Sequence, residues 1–239
     1  MRRAGANLRS SKSGPTLNKR GIVPDSAGQP QPGAPRKPHP LVGAEFVIAA
    51  AAPSQLLPPS VPEIAFAGRS NSGKSSAINA LAGRTRLAFA SRTPGRTQQI
   101  VFFRLRSGAL IADLPGYGYA AVAKAIKQSW QAFLWDYVTT RSTLTGLVLI
   151  VDARHGLKPL DLELLGGYLP SGRPALVLAT KCDKLNTSER RAAVTAISSE
   201  LAGAFPVHGP AVSVVPFSAT ARLGIETAET ILDTWVSGA

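Results

Sequence analysis

The chain has 239 residues, a length that suits one α/β domain with additional segments or at most two small domains. Its formal net charge of +13 favours a polyanionic partner such as nucleic acid. No apolar run is long enough for a membrane-spanning helix, and the one cysteine, Cys182, cannot form an internal disulfide, which suits a reducing cytosol. We expect a cytoplasmic protein without a membrane span, and we also expect a monomer.

Residues 1–40 are rich in Gly, Pro, Ser, Lys and Arg and contain few large apolar side chains. They hold eight basic residues against one acid, a net charge of +7. Such a segment cannot bury enough apolar surface to offset the entropy of ordering, so we predict a disordered basic tail. An organellar transit peptide is the alternative, because the segment is rich in Arg and Ser and poor in acids.

Residues 41–62 are predicted to lead into the main domain, which we place at 63–239. The stretch 46–52 is apolar throughout and predicts a short strand or a short helix. From Glu63 onward, segments typical of strands and of helices alternate. The predicted strands are 63–67, 98–105, 109–113, 146–152, 174–180 and 212–217.

Two of these strands contain continuous apolar runs, 147–151 and 175–179, which are typical of central parallel strands covered on both faces. Residues 124–140 carry one apolar stripe at helical spacing, and a similar stripe runs from Ile225 to Trp235. The pattern predicts an α/β fold, a doubly wound and mostly parallel six-stranded sheet with helices on both faces.

The sequence GRSNSGKSS at 68–76 follows the first of these strands and opens a helix-forming run. Its spacing, G-x-x-x-x-G-K-S, is that of a phosphate-binding P-loop, in which backbone N–H groups surround an anion at a helix N-terminus. Lys74 is expected to reach the β- and γ-phosphates, and the Ser75 hydroxyl to bind Mg²⁺. The predicted phosphate-binding residues are Gly68, Arg69, Ser70, Asn71, Ser72, Gly73, Lys74, Ser75 and Ser76.

A second segment, Asp113-Leu114-Pro115-Gly116, ends another predicted strand. A carboxylate there can hold Mg²⁺ through water, and the Gly116 N–H can meet the γ-phosphate of a nucleotide. The tetrad alone also occurs in ordinary turns, so it gains meaning only from its place after the P-loop.

Two later segments indicate which base is bound. In Thr180-Lys181-Cys182-Asp183, the carboxylate can accept hydrogen bonds from N1–H and the amino group of guanine, a donor pair that adenine lacks. The Lys181 stem can cover the base. In Phe217-Ser218-Ala219, the N–H of the last residue can meet the guanine O6.

In this order and spacing, the segments resemble the EngB (YihA/YsxC) family of ribosome-biogenesis GTPases, within the TrmE-Era-EngA-EngB type of P-loop GTPase. TPGRTQ at 93–98, DLPGYGYA at 113–120 and DARH at 152–155 also carry the resemblance, which covers about residue 46 to the C-terminus. Ser72 and Cys182 depart from the family's usual valine and frequent alanine. The resemblance implies a GTP- and GDP-binding, GTP-hydrolysing switch that assists large ribosomal subunit assembly, with a link to cell division and septation.

The resemblance also implies a first switch formed by Gly95, Arg96, Thr97, Gln98 and Gln99. Position-matching assigns to Thr97 the completion of the Mg²⁺ shell, and Thr93 is the alternative. The predicted metal ligands are therefore Ser75, Thr97 and Asp113.

The catalytic residues are less evident, because Tyr117 stands where Ras-like proteins have a water-orienting glutamine. A phenol is a poor replacement for an amide, which offers separate donor and acceptor atoms. Relatives with this P-loop pattern resemble potassium-activated GTPases, in which the asparagine at the place of Asn71 helps to bind K⁺. Such a cation could replace an arginine finger electrostatically. Alternatively, Asn71 only stabilises the loop. The predicted catalytic residues are Lys74, Asn71, Thr97 and Gly116.

Six arginines lie within 84–106, and no acid occurs from Ile64 through Ala112. This distribution favours a surface that binds a nucleic-acid backbone, here the ribosomal RNA of a large-subunit precursor. A solvated basic face is the alternative.

Two other functions stay open from the sequence. A nucleotide or metabolite kinase would need an acceptor-binding segment and an arginine-bearing lid, which we cannot locate, and it would leave Asp183 unexplained. An RNA-binding protein with a vestigial nucleotide site conflicts with the intact Lys74, Ser75 and Asp113.

Overall fold

The computed structural model describes Met1 and residues 41–88, 99–118 and 124–237. Apart from Met1, the predicted basic tail lies outside these ranges. Seven strands form one sheet: β1 (Glu45–Ala50), β2 (Glu63–Gly68), β3 (Ile100–Arg104), β4 (Leu110–Asp113), β5 (Leu144–Asp152), β6 (Ala175–Thr180) and β7 (Val212–Pro216). The α-helices in the described ranges are α1 (Lys74–Leu81), α2 (Lys124–Thr140), α3 (Pro159–Tyr168), α4 (Thr187–Ala204) and α5 (Ile225–Ser237).

The strands lie side by side in the order β1-β3-β4-β2-β5-β6-β7. The pairs from β4 to β7 are parallel, whereas β3 runs antiparallel to both β4 and β1. The predicted α/β fold with a mostly parallel sheet is thus confirmed. All six predicted strands form, and the lead-in segment adds a seventh at the edge, because its apolar residues pair with β3 instead of continuing as a helix.

Side chains of the central strands alternate between two apolar layers, as the period of two in a strand requires. Ala65 and Ala67 of β2 face one layer, which α2, α3 and α4 cover, and Ile64 and Phe66 face the other, which α1 and α5 cover. Helices therefore lie on both faces of the sheet. The carboxyl edge of the parallel strands is left for the loops.

A buried polar network closes the opposite edge. Glu63, the first residue of β2, is fully buried, and Arg141 binds its carboxylate with two guanidinium nitrogens. Tyr137 and Thr143 each donate a hydroxyl hydrogen bond to the same carboxylate, at 2.6 and 2.8 Å. Because every partner comes from the segment around the end of α2, the network fixes that helix to the start of β2.

Within the described residues, none of the helices is both long and apolar enough to cross a membrane.

Candidate functional site

The predicted site segments meet at the carboxyl edge of the parallel strands. The P-loop follows β2, Leu114–Gly116 follows β4, and the other two segments follow β6 and β7. Because β2 lies between β4 and β5, the chain leaves it in one direction and later returns on its other side. Such a switch point in a doubly wound sheet is where ligands bind.

The P-loop turns through two residues in the left-handed backbone region before α1 begins. Asn71 has φ 63° and Gly73 has φ 102°. Gly68 lies so close to β5 that an added Cβ would stand 2.8 Å from the carbonyl oxygen of Ile150. Glycine is therefore required at the start of the loop for space and at its end for conformation.

Lys74, at the start of α1, forms an ion pair with Asp113 at the end of β4. Both side chains are largely buried, with exposed fractions of 12% and 11%. Burial raises the pKa of the Asp113 carboxyl, and the nearby ammonium charge opposes that increase. The predicted phosphate-binding cation and the predicted Mg²⁺ ligand thus lie in direct contact.

The segment after β4 lies against the P-loop. A Cβ added to Gly116 would stand 3.3 Å from the backbone nitrogen of Ser70. The next residue, Tyr117, accepts a hydrogen bond from the Ser70 N–H at 3.0 Å and donates its own N–H to Gly68 at 3.3 Å. Its hydroxyl donates to Asp161 in the first turn of α3, at 2.6 Å.

The segments predicted to bind guanine are also in contact with each other. The Ser218 hydroxyl donates a hydrogen bond to the Asp183 carboxylate at 2.7 Å and accepts the N–H of Ala221 at 3.0 Å. The bond from Ser218 lowers the pKa of Asp183, and the charge of Lys184, 3.5 Å away, adds to that effect. Asp183 is therefore held as an oriented carboxylate, which is the state that accepts two hydrogen bonds.

Lys181 connects this region to the P-loop. Its ammonium group donates to the carbonyl oxygen of Asn71 at 2.6 Å and lies 2.9 Å from the Asp152 carboxylate at the end of β5. Arg154 binds the same carboxylate through Nε and Nη2, at 3.0 and 2.7 Å. Burial acts to raise the pKa of Asp152, but the bonds from Arg154 and Lys181 outweigh it and hold that pKa far below its ordinary range.

Several predicted site residues have side chains that hold the framework together. The Thr180 hydroxyl bonds the carbonyl oxygens of Ser72 and Val151, so it ties β6 to the P-loop. Cys182 is fully buried, and its thiol donates to the Ala179 carbonyl. Phe217 is 1% exposed and belongs to the core.

Part of the predicted site lies outside the described residues. This holds for Gly95, Arg96, Thr97 and Gln98 of the first switch, and for the alternative Thr93. Gln99, the last residue of that switch, is exposed just before β3. Leu114 and Pro115 are buried, while Gly116, Ser70, Asn71 and Ser76 are exposed at the site.

Two carboxylates of the site received no role from the sequence, Asp152 and Asp161. Asp152 lies in the DARH segment that carried the family resemblance, but only the fold reveals its contact with Lys181. Asp161 follows Pro159 in a first helical turn, a pattern that signals a helix start and nothing more.

Comparisons with known proteins agree with this geometry. Residues 63–181 match a family model described as "50S ribosome-binding GTPase", and residues 131–237 match "Elongation factor Tu GTP binding domain". A crystal structure of a probable GTP-binding protein EngB superposes with a TM-score of 0.59 at 24% identity, covering 74% of this chain and 100% of that chain. Era in complex with MgGDPNP and a fragment of 16S ribosomal RNA, also at 24% identity, gives a TM-score of 0.55 and covers 72% of this chain and 56% of that one. At such identity these structures bear on the fold alone.

Sequence relatives are closer. The chain is 50% identical to the probable GTP-binding protein EngB of Azoarcus sp. (strain BH72), over 81% of this chain and 91% of the relative. The corresponding protein of Laribacter hongkongensis is 48% identical over 76% and 81% of the two chains. That of Bordetella pertussis (strain Tohama I) is 44% identical over 81% and 95%. This chain therefore belongs to the EngB family of GTP-binding proteins, a family of P-loop GTPases.

Proposed function

We propose that this GTPase is a molecular switch that assists assembly of the large ribosomal subunit, with the family-level link to cell division and septation. The observation that carries the nucleotide part is the Lys181 ammonium, which binds both the P-loop carbonyl of Asn71 and Asp152. It joins the segment after β6, which carries the proposed guanine-binding carboxylate of Asp183, to the phosphate-binding loop. Such a site is suited to GTP and GDP.

In this proposal, Asp183 accepts the guanine donor pair and the Ala219 N–H meets O6. The P-loop amides and Lys74 bind the phosphates, and the Gly116 N–H binds the γ-phosphate, which GDP lacks. Lys74 exchanges its contact with Asp113 for phosphate oxygens. That exchange frees the carboxylate for a metal ion.

The donor atoms fit Mg²⁺, which prefers carboxylate and hydroxyl oxygen. Asp113 supplies a carboxylate at the end of β4, and Ser75 supplies a hydroxyl in the first turn of α1. Thr97 is the third proposed ligand. Bound Mg²⁺ would neutralise charge on the phosphates, while Lys74 and the loop amides orient them.

We also propose K⁺ as a second cation, with the Asn71 side chain as one ligand. Asn71 is exposed, and its backbone carbonyl is already bonded to Lys181. The backbone carbonyl of Asn71 is therefore held in place, and its side chain is open to solvent. A cation there could supply the positive charge that an arginine finger supplies in other GTPases.

The proposed partner is a precursor of the large ribosomal subunit and its RNA. Support comes from the description of the matched family model, "50S ribosome-binding GTPase", and from the charge of the chain. Arg84, Arg86, Arg104 and Arg106 are all exposed around the region that leads into and out of the first switch. Exposed arginines without neighbouring acids in sequence suit an RNA backbone.

The nucleotide part is tested by measuring the affinities for GTP, GDP and ATP. We expect guanine nucleotides to bind and ATP to bind far more weakly. Lys74→Ala should lose at least about tenfold in affinity, because a hydrogen bond to a charged group contributes ~1.5–3 kcal/mol. Normal GTP binding by Lys74→Ala would exclude this loop as the phosphate site.

The ribosomal part is tested with purified large-subunit precursors. We expect the particles to bind the GTP-loaded protein and to increase the rate of GTP hydrolysis. Deleting residues 1–40 should leave GTP affinity unchanged but flatten the salt dependence of particle binding, because fewer counterions are released. An unchanged rate of hydrolysis and no binding at low salt would contradict the proposed partner.

A further inference from the structure

The Tyr117 side chain bonds helix α3, whereas its backbone bonds the P-loop. Its hydroxyl donates to Asp161 Oδ1 at 2.6 Å, and its ring lines a groove of about 310 Å³ together with Trp135 and Leu160. A glutamine at this position in other GTPases orients the attacking water. The Tyr117 phenol is instead bonded to a carboxylate of the protein.

Asp161 is itself held from two sides. Its side chain is buried, with 1% exposed, and its second oxygen accepts the backbone N–H of Lys158 at 2.8 Å. Burial raises the pKa of the Tyr117 hydroxyl, and the neighbouring carboxylate of Asp161 raises it further. The phenol therefore stays protonated and remains a hydrogen-bond donor at neutral pH.

The backbone of Tyr117 is held by two hydrogen bonds to the P-loop. Its carbonyl oxygen accepts the Ser70 N–H at 3.0 Å, and its N–H donates to the Gly68 carbonyl at 3.3 Å. Gly116 immediately precedes it, and a Cβ added there would stand 3.3 Å from the backbone nitrogen of Ser70. Tyr117, the residue that follows Gly116, is thus held by the P-loop through its backbone and by Asp161 through its side chain.

We propose that Asp161 is a positioning residue for GTP hydrolysis. It holds the Tyr117 phenol, and through that residue it fixes the orientation of the Gly116 N–H over the P-loop. The inference rests on the proposed contact of Gly116 with the γ-phosphate. Because GDP has no γ-phosphate, Asp161 should affect the GTP-bound state and leave the GDP-bound state unchanged.

The test compares affinities for GDP and for a non-hydrolysable GTP analogue, both with Mg²⁺. In Tyr117→Phe, which keeps the ring and the backbone bonds, we expect the analogue to bind about five- to tenfold more weakly, the effect of one hydrogen bond. GDP affinity should stay within about twofold of the original protein, because GDP has no γ-phosphate for the Gly116 N–H to bind. The single-turnover rate of GTP hydrolysis should fall with the analogue affinity.

Asp161→Asn, alone and combined with Tyr117→Phe, completes a double-mutant cycle. If Asp161 acts through the phenol, the double variant should lose no more preference for the GTP analogue over GDP than the worse single variant. Asp161→Asn also weakens the cap of α3, so thermal stability is recorded for each variant. A role in the cap alone would lower stability and leave the ratio of the two affinities unchanged.

Tyr168→Phe is the matched control. Tyr168 lies on α3, the helix that also carries Asp161. It is fully buried and donates its hydroxyl hydrogen bond to the Pro174 carbonyl at 3.1 Å. Its removal should lower stability without changing the ratio of the affinities. An unchanged ratio in Tyr117→Phe would overturn the role of Asp161, whereas an original protein that binds neither nucleotide would overturn the proposed function instead.

Discussion

The ammonium group of Lys181 donates a hydrogen bond to the carbonyl oxygen of Asn71 at 2.6 Å, between residues that are 110 positions apart in the chain. Both residues have a left-handed backbone conformation, with φ 59° and φ 63°. Such a conformation is uncommon for residues other than glycine and persists where surrounding contacts fix it. The contact therefore couples the geometry of base binding to that of the phosphate loop.

The Asp152 carboxylate balances the charge of the Lys181 ammonium. Removing that carboxylate should lower the free energy of unfolding by an amount that depends on pH. The pKa of Asp152 is lowered in the folded protein, so its stabilising effect is present above the ordinary pKa of 3.8 and is lost as pH falls through the folded value. We expect Asp152→Asn to lower the free energy of unfolding by about 1–3 kcal/mol at pH 7. The difference from the original protein should shrink as urea titrations are repeated below pH 4.

The control is Asp136→Asn, which changes an exposed carboxylate of α2. Its stability curve should run parallel to that of the original protein across the same pH range. A difference for Asp152→Asn that stays constant down to the lowest pH would mean that the carboxylate charge contributes nothing through Arg154 and Lys181.

Base specificity should depend on Asp183 and on the hydroxyl that orients it. Asp183→Asn should weaken GTP binding and shift preference toward xanthine nucleotide, because an amide can donate to the changed base edge. Ser218→Ala removes the 2.7 Å hydrogen bond and should weaken GTP and GDP binding equally, by about fivefold. Competition titrations measure both effects, and unchanged guanine preference in Asp183→Asn would reject the assignment.

The Glu63 network should contribute to stability and leave nucleotide binding unaffected. Glu63→Ala leaves the Arg141 guanidinium, whose side chain is 9% exposed, without its carboxylate. Loss of one partner of a buried ion pair costs about 3–5 kcal/mol of unfolding free energy. Denaturant titration measures the loss, and Glu63→Gln, which keeps an acceptor for Tyr137, should lose less. A large loss of GDP affinity in folded Glu63→Ala would contradict this separation of roles.

The sequence was sufficient for features carried by consecutive residues. The P-loop is recognisable because Gly68, Gly73, Lys74 and Ser75 have a fixed spacing between a strand and a helix. The central strands are recognisable because both of their faces are covered, which leaves continuous apolar runs. In contrast, β1 at the sheet edge could be read as strand or helix, since a short apolar run has no decisive period.

Contacts between distant segments could not be predicted in the same way. Tyr117 and Asp161 are 44 positions apart, and neither side chain has a pattern that indicates the other. The sequence identified Tyr117 as a poor substitute for glutamine, but only the packing of α3 reveals what the phenol contacts. Likewise, Asp152 belongs to the family segment DARH, and its contact with Lys181 depends on β5 and β6 being neighbours in the sheet.

The last prediction concerns the source of positive charge during hydrolysis. With the Tyr117 hydroxyl bonded to Asp161, that side chain offers nothing to the attacking water. A bound K⁺ beside the P-loop would be most useful as charge develops in the transition state, so it should change the rate constant more than the affinity. We expect hydrolysis to be faster in K⁺ than in Na⁺, with similar GTP affinity in both.

Asn71 supplies the proposed ligand, and its conformation decides which variant is informative. At φ 63°, alanine would strain the backbone and disturb the carbonyl that binds Lys181, whereas glycine adopts this conformation freely. Asn71→Gly should therefore keep GTP affinity and lose the difference between K⁺ and Na⁺, while Asn71→Ala should also weaken binding. Steady-state rates in the two salts, with and without ribosomal particles, measure the effect. Equal rates in K⁺ and Na⁺ under both conditions would assign activation to the partner alone.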